Sequence, residues 1–229
     1  TSLRSSLDEI TRTARNAGAN LPSDISPIWV SNTNPDTLEI RFAAMGCNVT
    51  VGDHTQKAKA NPLFVAKGSD LSCFSVGDKL FLWHTTLGYG EYFTVTKIAT
   101  NTGFGWDEIH HGSNDLSVDP LYGDVLVKMQ AHKYFIDQTI AEHPRLMRSI
   151  NGGSPQIYAD NITDFQARFV LINGDSVQTL ATTDTVATAL LSMFAHTELI
   201  DAEAVKFGHD GRRTRQLGTE VVLRNNRFR

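Results

Sequence analysis

The residues best suited to chemistry lie between Asp107 and Asp115. Asp107, Glu108, His110 and His111 are close together in the sequence, with Asp115 four residues further on. Side chains of these types bind metal ions. Their spacing matches no zinc signature, however, and adjacent histidines in an extended strand point to opposite faces. We therefore expect this cluster to lie in a solvated loop, and we predict no metal site there.

Two other segments carry residue types that bind ligands. Asp201, Glu203 and Asp210 lie near Gly208 and Gly211, and clustered carboxylates suit Ca²⁺, but their spacing is not that of an EF-hand. The glycines near positions 88–90 and 103–105 lack the strand, loop and helix that form a phosphate-binding loop. No G-x-S-x-G motif is present. The sequence therefore predicts no enzyme, no catalytic residue and no cofactor.

Two cysteines, Cys47 and Cys73, lie in loop-like sequence between predicted strands, and neither belongs to a C-x-x-C pair. This arrangement suits a disulfide in an exported protein. Closing a loop of about 26 residues would stabilise the fold by roughly 3–4 kcal/mol in the chain-entropy model. Two buried free thiols are the alternative.

Composition excludes some classes of function. The chain has 229 residues, 41% of them hydrophobic, with a net charge of −4. Its densest basic run is Arg212, Arg213 and Arg215, which is too short to form the basic face of a nucleic-acid-binding protein. No apolar stretch approaches the roughly 18 residues that a membrane-spanning helix needs.

The first eighteen residues, Thr1–Gly18, predict an amphipathic helix. Five apolar residues recur at the helical period and line one packing face: Leu3, Leu7, Ile10, Ala14 and Ala17. Asp8 is spaced to pair with Arg12 on the other face. Gly18 suits the left-handed conformation that ends a helix, and Pro22 prevents its continuation.

The beginning of this helix is unlike its end. Thr1 or Ser2 can cap it, but Arg4 in the first turn faces the positive end of the helix dipole. We therefore expect residues 1–18 to be the lower half of a longer helix whose upper part is missing. An ordinary surface helix is the alternative.

After Pro22 the pattern changes from helical to alternating, which predicts strands. The predicted strands are Thr37–Phe42, Lys79–Trp83, Tyr92–Thr96, Asp124–Ile136, Arg145–Ile150, Ile162–Ile172 and Glu220–Arg224. Val186–Leu199 contains helix-favouring Ala and Leu but also alternates, so we predict a strand there and keep a helix as the alternative.

These elements predict an α+β fold, with an N-terminal helix packed on a mostly antiparallel sheet and long loops. We expect one domain over residues 1–229, with residues 1–18 as the helix and 36–229 as a β-rich head. The predicted loops are Asn48–Asn61, Asn101–Leu121 and Ile200–Arg215.

Several blocks of the sequence then resemble one family. Leu7–Gly18 (LDEITRTARNAG) resembles the point at which the helix of minor pilins and type II secretion pseudopilins leaves the membrane. Pro35–Phe42 and Ser75–Leu82 resemble the first strand and the entry to the second strand of the same family. Further along the chain, Leu146–Gly153, Ala159–Phe169 and Val221–Asn225 are similar to PilW-type minor pilins, and all the blocks come in the family's order. The family's processed N-terminal Phe and hydrophobic membrane segment are not in this sequence, so we interpret the chain as a soluble head lacking its membrane helix.

The resemblance implies a mechanical role. It implies a structural minor pilin that helps to prime type IV pilus assembly and lies in or at the tip of the filament. Its partners would be other minor and major pilins and a tip adhesin, with no nucleic acid. Its location would be the inner membrane and periplasm before assembly, and the extracellular pilus afterwards. In this role the five residues of the packing face would hold the helix against its own sheet and against neighbouring helices, and the loops Asn48–Asn61 and Asn101–Leu121 would supply lateral contacts.

Two alternatives remain open. The first is a J-type pseudopilin of type II secretion. The second is a secreted β-rich carbohydrate-binding module in which Trp83, Tyr89, Tyr92 and Trp106 provide exposed rings for stacking.

Overall fold

A computed structural model describes residues 3–21, 25–52, 62–100, 105–112, 115–181, 184–197, 202–206 and 211–223. Within these ranges the chain forms two helices, α1 (Leu3–Arg15) and α2 (Ala202–Lys206), and fourteen strands. The strands are β1 (Ile28–Ser31), β2 (Thr37–Thr50), β3 (Leu63–Ala66), β4 (Lys79–His84), β5 (Tyr89–Thr94), β6 (Lys97–Ala99), β7 (Trp106–His110), β8 (Val125–Asp137), β9 (Arg145–Ile150), β10 (Gln156–Asp160), β11 (Ile162–Leu171), β12 (Ser176–Val177), β13 (Val186–His196) and β14 (Thr214–Val222).

The predicted α+β class is wrong, because the protein is mostly β. Strands account for 51% of the described residues and form three antiparallel sheets, whereas α1 is a single short N-terminal helix. Two of the strands extend well beyond their predicted lengths, since β2 has 14 residues and β14 has nine, whereas the predicted strands Thr37–Phe42 and Glu220–Arg224 have six and five. Six further strands are too short for their alternation to be recognised in the sequence: β1, β3, β6, β7, β10 and β12.

The chain divides into two compact units, and β2 and β8 contribute residues to both. Unit 1 comprises Thr1–Gly18, Ser26–Arg41 and Ala131–Arg229. Unit 2 comprises Ala19–Ile25 and Phe42–Gln130. The prediction of a single domain over residues 1–229 stays a prediction.

Unit 1 contains α1 and a four-stranded sheet in the order β12-β11-β13-β14. β1 pairs with the first residues of β2, and the end of β8 pairs with β9, which in turn pairs with β10. The strand prediction for Val186–Leu199 is confirmed up to His196, where β13 ends, and Leu199 lies outside the described residues. One face of β11 and β13 is buried, with Phe165, Phe169 and Met193 fully enclosed.

Unit 2 contains the β4–β5 hairpin, which pairs with β8, and a three-stranded sheet in the order β3-β7-β6. Its core is a cluster of buried aliphatic and aromatic side chains that includes Val65, Leu80, Phe93 and Ile109. Because β7 (Trp106–His110) lies inside the segment predicted as a solvated loop, that loop prediction is wrong for these residues.

Candidate functional site

Helix α1 and the turn that follows it carry the residues for which the sequence predicted a packing role. Leu7, Ile10, Ala14 and Ala17 are buried, and Leu3 is half-buried. The helix contacts β13 and β14, and more lightly β10. The packing side is broader than the five predicted residues, because Ser6, Thr11 and Thr13 are buried beside them. The helical period is the signal that places these three residues on the packing side. Ser6 and Thr13 lie three residues after Leu3 and Ile10, and Thr11 lies four residues after Leu7.

The opposite side of α1 is polar and exposed. It presents Arg4, Ser5, Asp8, Arg12 and Arg15 to solvent. Arg12 forms an ion pair with Glu9 rather than with the predicted Asp8, and its side chain remains 74% exposed. An ion pair so exposed contributes little to stability.

The conformation predicted for Gly18 is confirmed, although α1 itself ends three residues earlier, at Arg15. Gly18 has a φ of +77°, in the left-handed region, and its N–H donates to the carbonyl oxygen of Arg41 at 2.9 Å. A glycine is suited to this position because other residues are strained there. Pro22, which was predicted to prevent continuation, lies outside the described residues.

A polar and aromatic cluster lies beneath α1 in unit 1. The Thr13 hydroxyl donates to the Glu9 carbonyl at 3.0 Å and lies 3.3 Å from the Tyr134 hydroxyl. Tyr134 is fully buried, and this burial raises its pKa. The Arg148 guanidinium lies 4.9 Å from the ring centroid of Tyr158, a cation–π contact. This contact places a positive charge close to two tyrosines.

The same cluster affects two further titratable groups. Burial raises the pKa of Tyr158, and the neighbouring Tyr134 adds to the increase. Burial also lowers the pKa of His132, and the charge of Arg148 lowers it further. No signal in the sequence marks this cluster, because Thr13 and Tyr134 are 121 residues apart.

The predicted disulfide is confirmed. Cys47 and Cys73 are bonded, and their Cα atoms lie 5.8 Å apart. Nearby, the Lys128 ammonium donates to the carbonyl oxygen of Cys73 at 3.0 Å and pairs with Asp78 at 2.7 Å. The disulfide therefore joins β2 to the loop that contains Cys73, and Lys128 of β8 contacts the same loop. All of these residues lie in unit 2.

The residues from Asp107 to Asp115 do not converge on one point. The Asp107 carboxylate accepts from the Gly68 N–H at 2.9 Å, whereas Glu108 pairs with His110 at 3.1 Å. His111 is bonded to the Gly112 carbonyl, and Asp115 accepts from the N–H groups of Thr94 and Gly112. Each side chain thus serves local structure. Within the described ranges no three His, Cys, Asp or Glu residues are grouped as metal ligands.

The other predicted segments are only partly described. Asp201, Gly208 and Asp210 lie outside the described residues, as do most of Asn48–Asn61 and parts of Asn101–Leu121 and Ile200–Arg215. Glu203 is exposed on α2 and Gly211 is buried.

Of the aromatic residues considered for stacking, only Tyr89 is largely exposed, at 41%. Trp83 stacks against Phe81 with ring centroids 6.3 Å apart, and Tyr92 packs on Phe81 at 4.9 Å. The indole of Trp106 packs so closely on Gly52 that a Cβ there would collide with it. Three of the four rings therefore serve packing.

A buried polar network holds several loops of unit 2 together. His84 and Asp124 are both fully buried, and His84 Nδ1 lies 2.8 Å from Asp124 Oδ2. Asp124 also accepts from the N–H groups of Thr85 at 3.1 Å and Leu121 at 2.9 Å. On its other side, His84 Nε2 lies 3.3 Å from Glu91 Oε1.

Glu91 extends this network to a third segment. Its carboxylate accepts from the N–H groups of Ser117 at 2.8 Å and Val118 at 3.3 Å. Burial alone would raise the pKa of Glu91, but the hydrogen bonds from Ser117, His84 and Val118 outweigh it and lower the pKa. The network is therefore a structural device that fixes the loops.

These loops expose apolar side chains. Leu87 is 48% exposed, Tyr89 41%, Leu121 44% and Tyr122 72%. Leu87 lies in the β4–β5 turn after Thr85, and Tyr89 is the first residue of β5, whereas Leu121 and Tyr122 precede Asp124. Because the Asp124 carboxylate accepts from the N–H groups of both Thr85 and Leu121, it links the two segments. Exposed apolar residues so firmly positioned form a second candidate contact surface.

Comparisons with known proteins give one distant likeness. No protein-family model matches the chain, and no curated protein matches it. A solved structure, a type IV-like pilin from Thermus thermophilus, is similar at 10% sequence identity with a TM-score of 0.42, over 98% of this chain and 96% of that one. Similarity at this level does not establish a family. Within the described residues, no helix is long and apolar enough to cross a membrane.

Proposed function

We propose that this protein is a structural subunit of the pilin type, specifically a minor pilin that helps to prime type IV pilus assembly and lies in or at the tip of the filament. The proposal rests on helix α1, which buries one side against β13 and β14 and exposes a polar side. A helix with this division can pack on its own strands and still present a surface to a neighbouring subunit.

Two further observations support the proposal. The sequence blocks from Leu7 to Asn225 resemble minor pilins in the family's order, and the blocks from Leu146 onwards resemble the PilW type. The Cys47–Cys73 disulfide is typical of proteins that fold outside the cytoplasm. Under this proposal the protein resides in the inner membrane and periplasm before assembly and in the extracellular filament afterwards, and its partners are other pilins.

Co-purification tests the proposal. The chain, immobilised by a tag, is incubated with an inner-membrane and periplasmic extract, and the retained proteins are identified by mass spectrometry. We expect pilins to be recovered. Recovery of secretion-system subunits would instead identify a pseudopilin, and recovery of no pilin-like protein would refute the proposal.

A variant on the exposed side of α1 makes the test specific. Arg4→Glu reverses a charge in the first turn, where a negative charge favours the helix, so lost binding would not reflect a lost helix. Lys67→Glu is the matched control, because Lys67 is exposed in a turn of unit 2. We expect Arg4→Glu to reduce pilin recovery and Lys67→Glu to leave it unchanged. Equal recovery with both variants would exclude this side of α1 as the contact surface.

A further inference from the structure

The four-stranded sheet of unit 1 has a second face, on the side away from the buried residues. Because residues paired directly across antiparallel strands share a face, the register places Arg168, Leu190 and Glu220 in one row. Arg168 and Glu220 are exposed and Leu190 is half-buried, whereas their chain neighbours Ala167, Leu191 and Val221 are buried. The row therefore lies on the outer face.

The neighbouring rows of this face mix apolar and polar residues. Val170, Thr188 and Val222 form one row, and Asp164, Phe194 and Gln216 form another. Gln166, Ser192 and Gly218 lie between the second of these rows and Leu190, and with the Arg168 row they line a shallow depression of about 670 Å³. The depression shows that the described side chains of the chain do not fill this face.

The charged residues of this face are placed so that two copies of the face complement each other. Arg168 on β11 and Glu220 on β14 lie on opposite sides of β13, each one strand away from Leu190. In the described chain neither forms an ion pair with the other, since β13 separates them. A surface with opposite charges on either side of a central strand is self-complementary about an axis along that strand.

We propose that two copies of this chain pack face to face through this surface, about a two-fold axis that runs along β13. In that arrangement Arg168 of each copy faces Glu220 of the other. Val170 faces Val222 of the second copy, and Leu190 and Phe194 each face their own counterparts. The two sheets would form an aligned sandwich, the common packing of antiparallel sheets.

The same charges disfavour the other symmetric arrangement. If the two-fold axis crossed the strands along the row of Leu190, Arg168 would face Arg168 and Glu220 would face Glu220. Like charges placed opposite each other across an interface oppose association. The charge pattern therefore selects one orientation out of two.

The size of the surface indicates a weak dimer. The nine residues of β14 span about 30 Å and three strands span about 15 Å, which gives roughly 450 Å² per copy and about 900 Å² in total. This value lies below the roughly 1,200 Å² of stable specific interfaces and within the range of weak, transient ones. We therefore expect a dimer that forms and dissociates with concentration.

Sedimentation equilibrium of the complete, oxidised chain tests the proposal. We expect concentration-dependent dimerisation. Arg168→Glu and Glu220→Arg should each weaken the dimer by roughly tenfold, because each change replaces two attractive pairs by two repulsive ones. The double variant carrying both changes should restore it, because the charges are then exchanged rather than removed. Lys67→Glu, with the same change in net charge as Arg168→Glu, should have no effect.

Three outcomes would overturn the proposal. They are a chain that stays monomeric at every soluble concentration, a dimer unaffected by Arg168→Glu, and a double variant as weak as the single ones. A dimer formed instead by pairing the edges of two β14 strands would give the second of these outcomes. It would be unaffected by Arg168→Glu, because Arg168 is two strands away from that edge of the sheet. Thermal unfolding of each variant checks the fold, and we expect little change because both side chains are exposed.

Discussion

Replacing Asp124 by alanine tests a buried set of hydrogen bonds in unit 2. Its carboxylate is fully buried and accepts from His84 Nδ1 and from the N–H groups of Thr85 and Leu121. Asp124→Ala would leave these three donors without their acceptor, and it would also remove the longer contact of the Thr85 hydroxyl at 3.5 Å. The cost depends on which of them water can reach after the substitution.

The three donors differ in this respect. His84 has no exposed surface, so its ring N–H would stay unsatisfied at a cost of about 1–3 kcal/mol. Thr85 and Leu121 are exposed, so water can replace the carboxylate and each loses only about 1 kcal/mol. Together these terms give a destabilisation of roughly 3–5 kcal/mol, a large part of the stability of a typical domain.

Urea-induced unfolding measures this loss. Trp83 and Trp106 report on unit 2 and Trp29 on unit 1, so a Trp29→Phe background isolates the fluorescence of unit 2. Hydrogen exchange at the amides of Thr85 and Leu121 gives a local readout. Both amides should exchange faster in Asp124→Ala.

Asp70→Ala is the matched control. Asp70 also accepts a backbone N–H, from Ser72 at 3.0 Å, and a hydroxyl, but it is exposed in the same unit. Its removal should cost much less than that of Asp124, because water replaces the lost acceptor. If Asp124→Ala costs no more than Asp70→Ala, the buried network does not hold these loops and the reasoning is refuted.

Local sequence patterns predicted much of the secondary structure. Every predicted strand overlaps an observed one, and Arg145–Ile150 agrees at both ends. Gly18 adopts the predicted left-handed conformation, and the disulfide joins the two predicted cysteines. These features depend on neighbours in sequence or on residue type, which a single sequence contains.

The fold class could not be predicted from the same patterns. Strands of three to five residues, such as β6 and β7, carry one or two alternations, which do not differ from loop sequence. Their stability comes from pairing partners elsewhere in the chain. The sequence around Asp107 accordingly predicts a loop, although the segment pairs with β3 on one side and β6 on the other.

Contacts between residues that are far apart in the chain could not be predicted from the sequence either. Asp36 is almost fully buried and accepts from the Ala167 N–H at 2.8 Å, across 131 residues, and from the Thr33 N–H at 3.1 Å. Burial raises its pKa, and nothing near Pro35 indicates such a partner. The row of Arg168, Leu190 and Glu220 depends in the same way on strand register, which no local pattern fixes.

Two further measurements test the interior of each unit. In unit 2, Cys47→Ala with Cys73→Ala should lower the free energy of unfolding by about 3–4 kcal/mol in urea titration, because the bridge closes a long loop; a loss under about 1 kcal/mol would contradict this. In unit 1, burial raises the pKa of Tyr134 above its value of about 10 in the unfolded chain. The stability that the protonated hydroxyl contributes is therefore complete below about pH 10 and is lost as the pH rises through the pKa of the folded chain. Tyr134→Phe removes the titrating hydroxyl at a neutral-pH cost of about 1 kcal/mol, for its contact with Thr13. The stability of the variant should therefore fall less steeply above about pH 10 than that of the parent chain. Equal slopes in the two proteins would show that Tyr134 ionises as readily in the folded chain as in the unfolded one.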